Sequence, residues 1–248
     1  MNSSIIEKIK SGKGAVVVGG GNGVGLALAV LLSRYCEVYV VDKVAPPLEI
    51  NVKYICLDLS DNDYSVLNEI KNVDKLVITA GFGKLSLFEN YSEELAKTMM
   101  DVNATGVMRI VHHFYKQILA KENFYTGIMV SIAGFMSSPF FAVYGASKAA
   151  LKIFIESLNV ELLNAGTTNQ ILNVSPGSLK GTSFGGNATN LQLLTPFAEE
   201  FLTHMMNKND LFIPQYDEIF KEVLERYHND FRAEGMHSYE YKTKSGRI

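Results

Sequence analysis

A continuous apolar run, Ala15-Val-Val-Val18, breaks directly into Gly19-Gly-Gly-Asn-Gly23-Val-Gly25, and an apolar stretch with helical patterning follows from Leu26 to Tyr35. A run without polar alternation is what a strand buried on both faces carries. Strand, glycine turn and helix in immediate succession aim backbone N–H groups and the positive end of a helix at one point, a geometry that holds phosphate. The spacing is not G-x-G-x-x-G, because starting from Gly19 or Gly21 puts Val24 or Leu26 at the last glycine. It is G-x-x-x-G-x-G, on Gly19, Gly23 and Gly25, with Gly21, Asn22 and Val24 completing the candidate phosphate loop. The alternative is a tight turn whose glycines serve only strand-helix packing.

The same alternation continues along the chain. Glu37 to Val41 reads as a second strand ending in Asp42, 17 residues after Gly25. Tyr54 to Leu57 reads as a third, ending in Asp58-Leu59, and Lys75 to Thr79 as a fourth, ending in Ala80-Gly81. Ser92 sits in an N-cap position before a helical stretch from Glu93 to about Ala120 that contains Asn103. Gly127 to Ser131 is the fifth strand, Ala142 to Asn164 the next helix, and Asn169 to Val174 the sixth strand, ended by Ser175-Pro176-Gly177. This order predicts an α/β fold, a single Rossmann-type doubly wound domain with a parallel sheet and helices on both faces. Ligands bind such sheets at the carboxyl ends of the strands, so Gly19, Asp42, Asp58, Gly81, Ser131 and Gly177 are expected to ring one crevice. Asp42 falls where a dinucleotide fold places an acid on the adenosine ribose hydroxyls, which favours NAD over NADP; Lys43 beside it keeps NADP open. A solvated carboxylate at a strand end is the plainer alternative.

Composition narrows the function classes. With 248 residues and 47% hydrophobic content the chain can bury one large core. A net charge of −3 offers no basic excess for nucleic acid or anionic lipid. Met1 to Lys13 has no apolar h-region and no apolar run approaches eighteen residues, so a soluble, cytoplasmic protein is expected. Cys36 and Cys56 fit reduced thiols, and the five histidines have no metal-ligand spacing, so no metal site is expected.

The chemistry points to Ser131-Ile-Ala-Gly134 and Tyr144-Gly-Ala-Ser-Lys148. An i, i+4 spacing on a helix puts Tyr144 and Lys148 on one face, one turn apart. A free phenol has a pKa of about 10, so roughly one in a thousand is ionised at pH 7, and a fixed ammonium nearby reduces that deficit. Such a phenol can exchange a proton with an alcohol oxygen that the Ser131 hydroxyl also holds. Tyr39 and Lys43 share the spacing but lie in a strand, where about 3.3 Å per residue separates them by some 13 Å.

Over roughly residues 14 to 182 the chain resembles the short-chain dehydrogenase/reductase family, because several separate motifs fall in the family's order. The glycine motif lies on Gly19, Gly23 and Gly25, with Val18 in place of its leading threonine. The adenine-side Asp-Val/Leu pair falls on Asp58-Leu59. The Asn-Asn-Ala-Gly motif appears as Ile78-Thr79-Ala80-Gly81, without its two asparagines. The catalytic tetrad is complete as Asn103, Ser131, Tyr144 and Lys148, and the nicotinamide-side Pro-Gly is Pro176-Gly177. The threonine that normally follows four residues later is displaced by one, to Thr182.

The resemblance implies an NAD(P)-dependent oxidoreductase interconverting a secondary alcohol and a ketone. In it Tyr144 is the general acid/base, Lys148 binds the nicotinamide ribose and lowers the phenol's pKa, Ser131 holds the substrate oxygen and Asn103 positions a water. Rival readings are a non-catalytic dinucleotide-binding sensor, which the intact tetrad opposes, and a nucleotide-sugar epimerase, which the glycine spacing and the short region after 182 oppose. Residues 183 to 212 fall where the family carries a substrate lid. There Gly185-Gly186 leads into Leu191, Leu194, Phe197, Phe201, Met205 and Met206, a series that would equally pack on the core. Residues 213 to 248 diverge from the family. A homo-dimer or homo-tetramer is expected through helices 92 to 120 and 142 to 164, with Met99, Val107, Val111, Phe154 and Leu158 as apolar contacts or, alternatively, as cover for the sheet.

Overall fold

A computed structural model of the chain describes residues 1–47, 49–182, 184 and 188–244. Strands β1 (Gly14–Val18), β2 (Val38–Asp42), β3 (Lys53–Cys56), β4 (Val73–Ile78), β5 (Tyr125–Met129), β6 (Ile171–Val174) and β7 (Leu211–Phe212) form one sheet in the order 3-2-1-4-5-6-7. Every neighbouring pair is parallel. The chain winds outward from β1 to β3 and then crosses back to β4, which pairs with the other side of β1. The connections leaving β1 and β4 therefore diverge, and a crevice opens between them at the carboxyl end of the sheet.

Two apolar layers explain why the strands lack polar alternation. Val16, Val18, Tyr39, Val41, Leu76 and Ile78 point to one face. They meet Val107, Ile110, Val111 and Phe114 of α4 (Gly106–Leu119) and Leu151 and Ile155 of α5 (Ala142–Asn164). Ala15, Val17, Val38, Val40 and Val77 point the other way. They meet Leu28 and Leu31 of α2 (Gly23–Leu32), Phe201 and Met205 of α6 (Leu191–Met206), and Ile5 and Ile9 of α1 (Ser3–Lys10). Burying each large side chain contributes about 1.5–3 kcal/mol before conformational entropy is charged against it.

The stretch expected to be one long helix is divided. The first part is α3 (Glu93–Met100), capped by Ser92, whose side chain accepts from Leu95 N. A π-helical turn, Asp101–Thr105, then joins it to α4. Helices α7 (Lys221–Asn229) and α8 (Phe231–Lys244) follow β7 and close the chain. Among the described residues no helix is long and apolar enough to cross a membrane.

The packing bears on two expectations. In the region expected to hold a lid, Leu194, Phe197, Phe201, Met205 and Met206 are buried in the layer with α2, so α6 covers the sheet. Residues 183 and 185–187, and with them the Gly185-Gly186 pair, lie outside the described residues, as do 245–248. Met99, Val107 and Val111 are also buried within the chain, and Phe154 and Leu158 pack on the same core. Phe154 and Leu158 keep part of their surface in solvent. The apolar side chains that α5 leaves most exposed are one helical step around: Ile153, Val160 and Leu163, at 59%, 67% and 77% exposure.

Candidate functional site

Because the strands are parallel, the segments leaving β1, β2, β4, β5 and β6 emerge at one end. The glycine loop is fixed by close approach. At Gly25 a Cβ would stand 2.0 Å from Gly19 O and 2.4 Å from Thr79 Oγ1, so the first turn of α2 reaches the end of β1 only without a side chain there. Gly19 itself has φ 86° and passes against Ala80 N, where a Cβ would lie at 2.4 Å. Thr79, which stands in the motif lacking its asparagines, donates its hydroxyl to Val18 O and Gly19 O at 3.3 and 3.2 Å. That hydroxyl ties the ends of β4 and β1 together.

Asn22 is the N-cap residue of α2, and Gly23 and Val24 begin the helix. The Gly23 N–H donates to Thr189 Oγ1 at 2.9 Å, so a hydroxyl from the segment after β6 already sits at the helix's positive end. Thr182, the residue expected near the cofactor, instead donates to Leu179 O at 3.2 Å. No spacing in the sequence singles out Thr189. Asp42 ends β2 and folds its carboxylate over the loop, accepting from Gly21 N at 2.8 Å and Val44 N at 3.1 Å.

Asp58 accepts from Ser60 N and Ser60 Oγ at 2.9 and 2.7 Å and pairs with Lys43 at 3.4 Å. The backbone bond from Ser60, helped by its hydroxyl and by Lys43 and opposed by partial burial, holds the Asp58 carboxyl below its ordinary range. Leu59 beside it is buried. The control pair separates as expected: Tyr39 is buried in β2 with Lys53 Nζ 5.0 Å from its ring, while Lys43 turns to Asp58.

Tyr144, Lys148 and Ser131 meet at the centre. Ser131 caps a 3-10 turn (Ile132–Gly134), its Oγ accepting from Ala133 N at 3.1 Å. Tyr144 and Lys148 occupy the first two turns of α5, with Lys148 Nζ 5.8 Å from the phenol ring centroid. Burial raises Tyr144 above its ordinary value of 10, and the side-chain hydrogen bond with Ser131 offsets only part of that. Lys148 moves the other way, from 10.5 to about 8, because burial penalises the ammonium. Its Nζ donates to Met129 O at 3.1 Å.

Asn103 lies in the π turn, where one extra residue per turn swings its amide inward. The amide accepts from Phe82 N at 2.9 Å and donates to Phe82 O at 2.8 Å and to Ser147 Oγ at 3.1 Å. Ser147 in turn donates to Tyr144 O at 2.7 Å. A buried polar network is sound only when each member has partners, and here the amide is engaged on both ends. A Cβ on Gly81 would stand 3.1 Å from Asn103 Oδ1 and 3.2 Å from Lys148 Nζ, so Ala80-Gly81 brings bare backbone to both groups. Phe184 places its ring 5.3 Å from Tyr144 and 6.3 Å from Phe141, which makes this end of the crevice aromatic.

The C-terminal segment supports the site in a way the sequence did not announce. Ile132 N donates to Pro176 O at 3.0 Å, and the Phe220 ring packs against Gly177. Lys242 donates to Ser138 Oγ at 2.7 Å and Pro139 O at 2.8 Å, and the Tyr239 ring packs at a tilt against Phe140 with centroids 4.6 Å apart. Phe140 has φ 67°, a conformation that costs a bulky residue energy and that this packing holds in place. Helix α8 therefore braces the loop between Ser131 and Tyr144.

Comparison with known proteins bears on the family and the fold. The family model described as short chain dehydrogenase matches residues 13–192. An uncharacterized oxidoreductase of Staphylococcus epidermidis is 29% identical over 197 residues, covering 72% of this chain and 84% of its own length. Among solved structures, a short chain dehydrogenase/reductase from Burkholderia phymatum in complex with NAD has a TM-score of 0.78 at 20% identity, covering 90% of this chain and 95% of its own. One from Burkholderia cenocepacia in complex with NADP has a TM-score of 0.74 at 19% identity, covering 93% and 98%. At these identities the structural likeness carries the fold.

The Lys148 shift yields a stability test. With a folded pKa of about 8 against 10.5, the unfolded chain binds the proton more tightly. The native state is penalised in full below pH 8, and stability recovers as pH rises from about 8 to 10.5. A shift of this size corresponds to about 3 kcal/mol, and leaving Met129 O unpaired costs about 1 kcal/mol of it back. Lys148→Met is expected to be about 2 kcal/mol more stable than wild type at pH 7 in urea unfolding, an advantage that shrinks as pH rises above 8 and gives way by pH 10.5 to an advantage of about 0.5 kcal/mol for wild type, which keeps its bond to Met129 O. Equal stabilities at pH 7 would mean that the ammonium is not desolvated.

Proposed function

This chain belongs to the short-chain dehydrogenase/reductase family of NAD(P)-dependent oxidoreductases, and within it we propose that Tyr144 transfers the proton in the interconversion of a secondary alcohol and a ketone. The observation that carries the reading is the convergence of Ser131, Tyr144, Lys148 and Asn103 at the carboxyl ends of β4 and β5, next to a glycine loop fit for a phosphate. The nicotinamide supplies hydride chemistry when bound. The protein's share is orientation and proton management. A buried phenol with a raised pKa is neutral at pH 7, which makes it a proton donor to a developing alkoxide. Ser131 would hold the same oxygen, and Lys148 would donate to the ribose hydroxyls. Asn103 sets the backbone of Phe82 and, through Ser147, the first turn of α5.

The dinucleotide fits the residues present. The turn of Gly19, Gly21, Gly23 and Gly25 at the start of α2 would face a pyrophosphate, Asp58 and Leu59 would flank the adenine, and Pro176-Gly177 would lie on the nicotinamide side. Asp42 supports NAD over NADP, since its carboxylate accepts from free ribose hydroxyls and repels a 2′-phosphate. A sensor that binds the dinucleotide without turnover is the second reading. The hydrogen bond between Ser131 and Tyr144 disfavours it, since binding a dinucleotide alone calls for no hydroxyl partner to the phenol.

Turnover against a panel of ketones, with alcohols tested in reverse, is expected to show NADH used in preference to NADPH, the preference narrowing in Asp42→Ala. On any substrate found, Tyr144→Phe is expected to lose about 10² to 10⁴ in rate while folding and NAD binding stay intact. Tyr39→Phe serves as the control. Retention of activity within a few-fold in Tyr144→Phe would reject the mechanism, and better use of NADPH by the wild type would reject the role of Asp42.

A second copy of the chain, as a dimer or tetramer, would find its contact on α5 at Ile153, Val160 and Leu163. Light scattering at micromolar protein is expected to give a multiple of the chain mass that Val160→Glu lowers. A single-chain mass for the wild type would end this proposal.

A further inference from the structure

The loop after β3 carries Asp58 and Leu59 and has the sheet on one side only. A side chain of α4 ties it down. The Arg109 guanidinium lies 3.6 Å from the centroid of the Tyr64 ring. Its Nη1 donates to Asp61 O at 2.6 Å and its Nη2 to Asn62 O at 2.5 Å. Tyr64 passes the restraint back by donating its hydroxyl to Leu59 O at 2.8 Å. Helix α4 comes close at Gly106, where a Cβ would stand 2.8 Å from Leu59 Cβ and 2.9 Å from Tyr64 Oη. Arg109 therefore fixes both carbonyls of the exposed Asp61-Asn62 tip and the ring that holds Leu59.

We infer that Arg109 is a positioning residue for the adenosine half of the dinucleotide: it holds the Asp58-Leu59 wall of that subsite without touching the ligand. The inference rests on the dinucleotide reading above. Two donors in a rigid plane match two carbonyls, and the face of the same plane stacks on an aromatic ring. A lysine can satisfy one of these demands at a time. Once the clamp is removed, the loop must be ordered when the ligand arrives, so affinity falls for every ligand that carries adenosine. A ligand with only the nicotinamide half is unaffected, because its contacts come from β4, β5 and β6. That selectivity separates positioning from a general loss of stability.

The test is calorimetric titration of wild type, Arg109→Met, Arg109→Lys and Tyr64→Phe with NADH and ADP-ribose, and titration with reduced nicotinamide mononucleotide by saturation-transfer NMR. Arg109→Met is expected to weaken NADH and ADP-ribose by about tenfold and to leave the mononucleotide unchanged. Arg109→Lys is expected to recover part of the loss, and Tyr64→Phe, which frees Leu59 O but keeps the ring, to show a smaller loss in the same direction. Circular dichroism checks that each variant is folded, and Arg109→Lys carries the comparison if Arg109→Met is not. A folded Arg109 variant that binds NADH and ADP-ribose as wild type does overturns the inference, as does one that loses the mononucleotide equally. Wild type that binds no dinucleotide overturns the underlying reading itself, and the inference with it.

Discussion

The desolvated ammonium of Lys148 is the interaction on which the site depends. A lysine on a helix ordinarily keeps its charged end in water. Here the side chain is 3% exposed and its Nζ meets Met129 O, next to bare backbone at Gly81. It stays there because α5 is anchored along its length, with Leu151, Ile155 and Leu162 in the core and Gly134 pressed against the carbonyl of Lys148 itself. The two apolar layers across the sheet supply the free energy that this placement consumes. Stability given up at one buried charge is the pattern expected where function rather than packing selects the residue.

Burial acts on the two key groups in opposite senses and toward the same end. It raises the phenol of Tyr144 and lowers the ammonium of Lys148, so both are drawn toward their neutral forms. The sequence alone suggests that proximity of positive charge dominates the phenol. In the folded chain desolvation dominates, because the ring is packed against Phe141, Met99 and Val143. A site in this condition responds strongly to whatever enters it, since a ligand that accepts from Nζ changes the balance for both groups.

Much of this was legible in the sequence where the physics is local or periodic. The buried strands declared themselves by apolar runs, the glycine loop by spacing, and α5 by a helical pattern from Ala142 to Asn164 that the structure reproduces. Features set by tertiary contact were not legible. The π turn at Asp101–Thr105 adds one residue to a helical pattern and leaves no mark in composition. Which apolar side chains α5 leaves most exposed was not legible either, because Phe154 and Ile153 are adjacent and equally apolar. The two-residue strand β7 and the brace from Lys242 and Tyr239 join segments that are far apart in the chain. Arg109 gave no signal, since its partners are the carbonyls of Asp61 and Asn62, which any residue type would provide.

The most direct test of the account is an NMR titration of the Lys148 side chain, assigned by comparison with Lys148→Met, in the free protein and in the presence of saturating NADH. The account predicts a midpoint near 8 in the free protein. With NADH it predicts an upward shift, because ribose hydroxyls that accept from the ammonium, near a negative pyrophosphate, favour the charged form. A midpoint near the ordinary 10.5 that NADH leaves unchanged would contradict the account, since Lys148 would then be neither desolvated nor in contact with the cofactor.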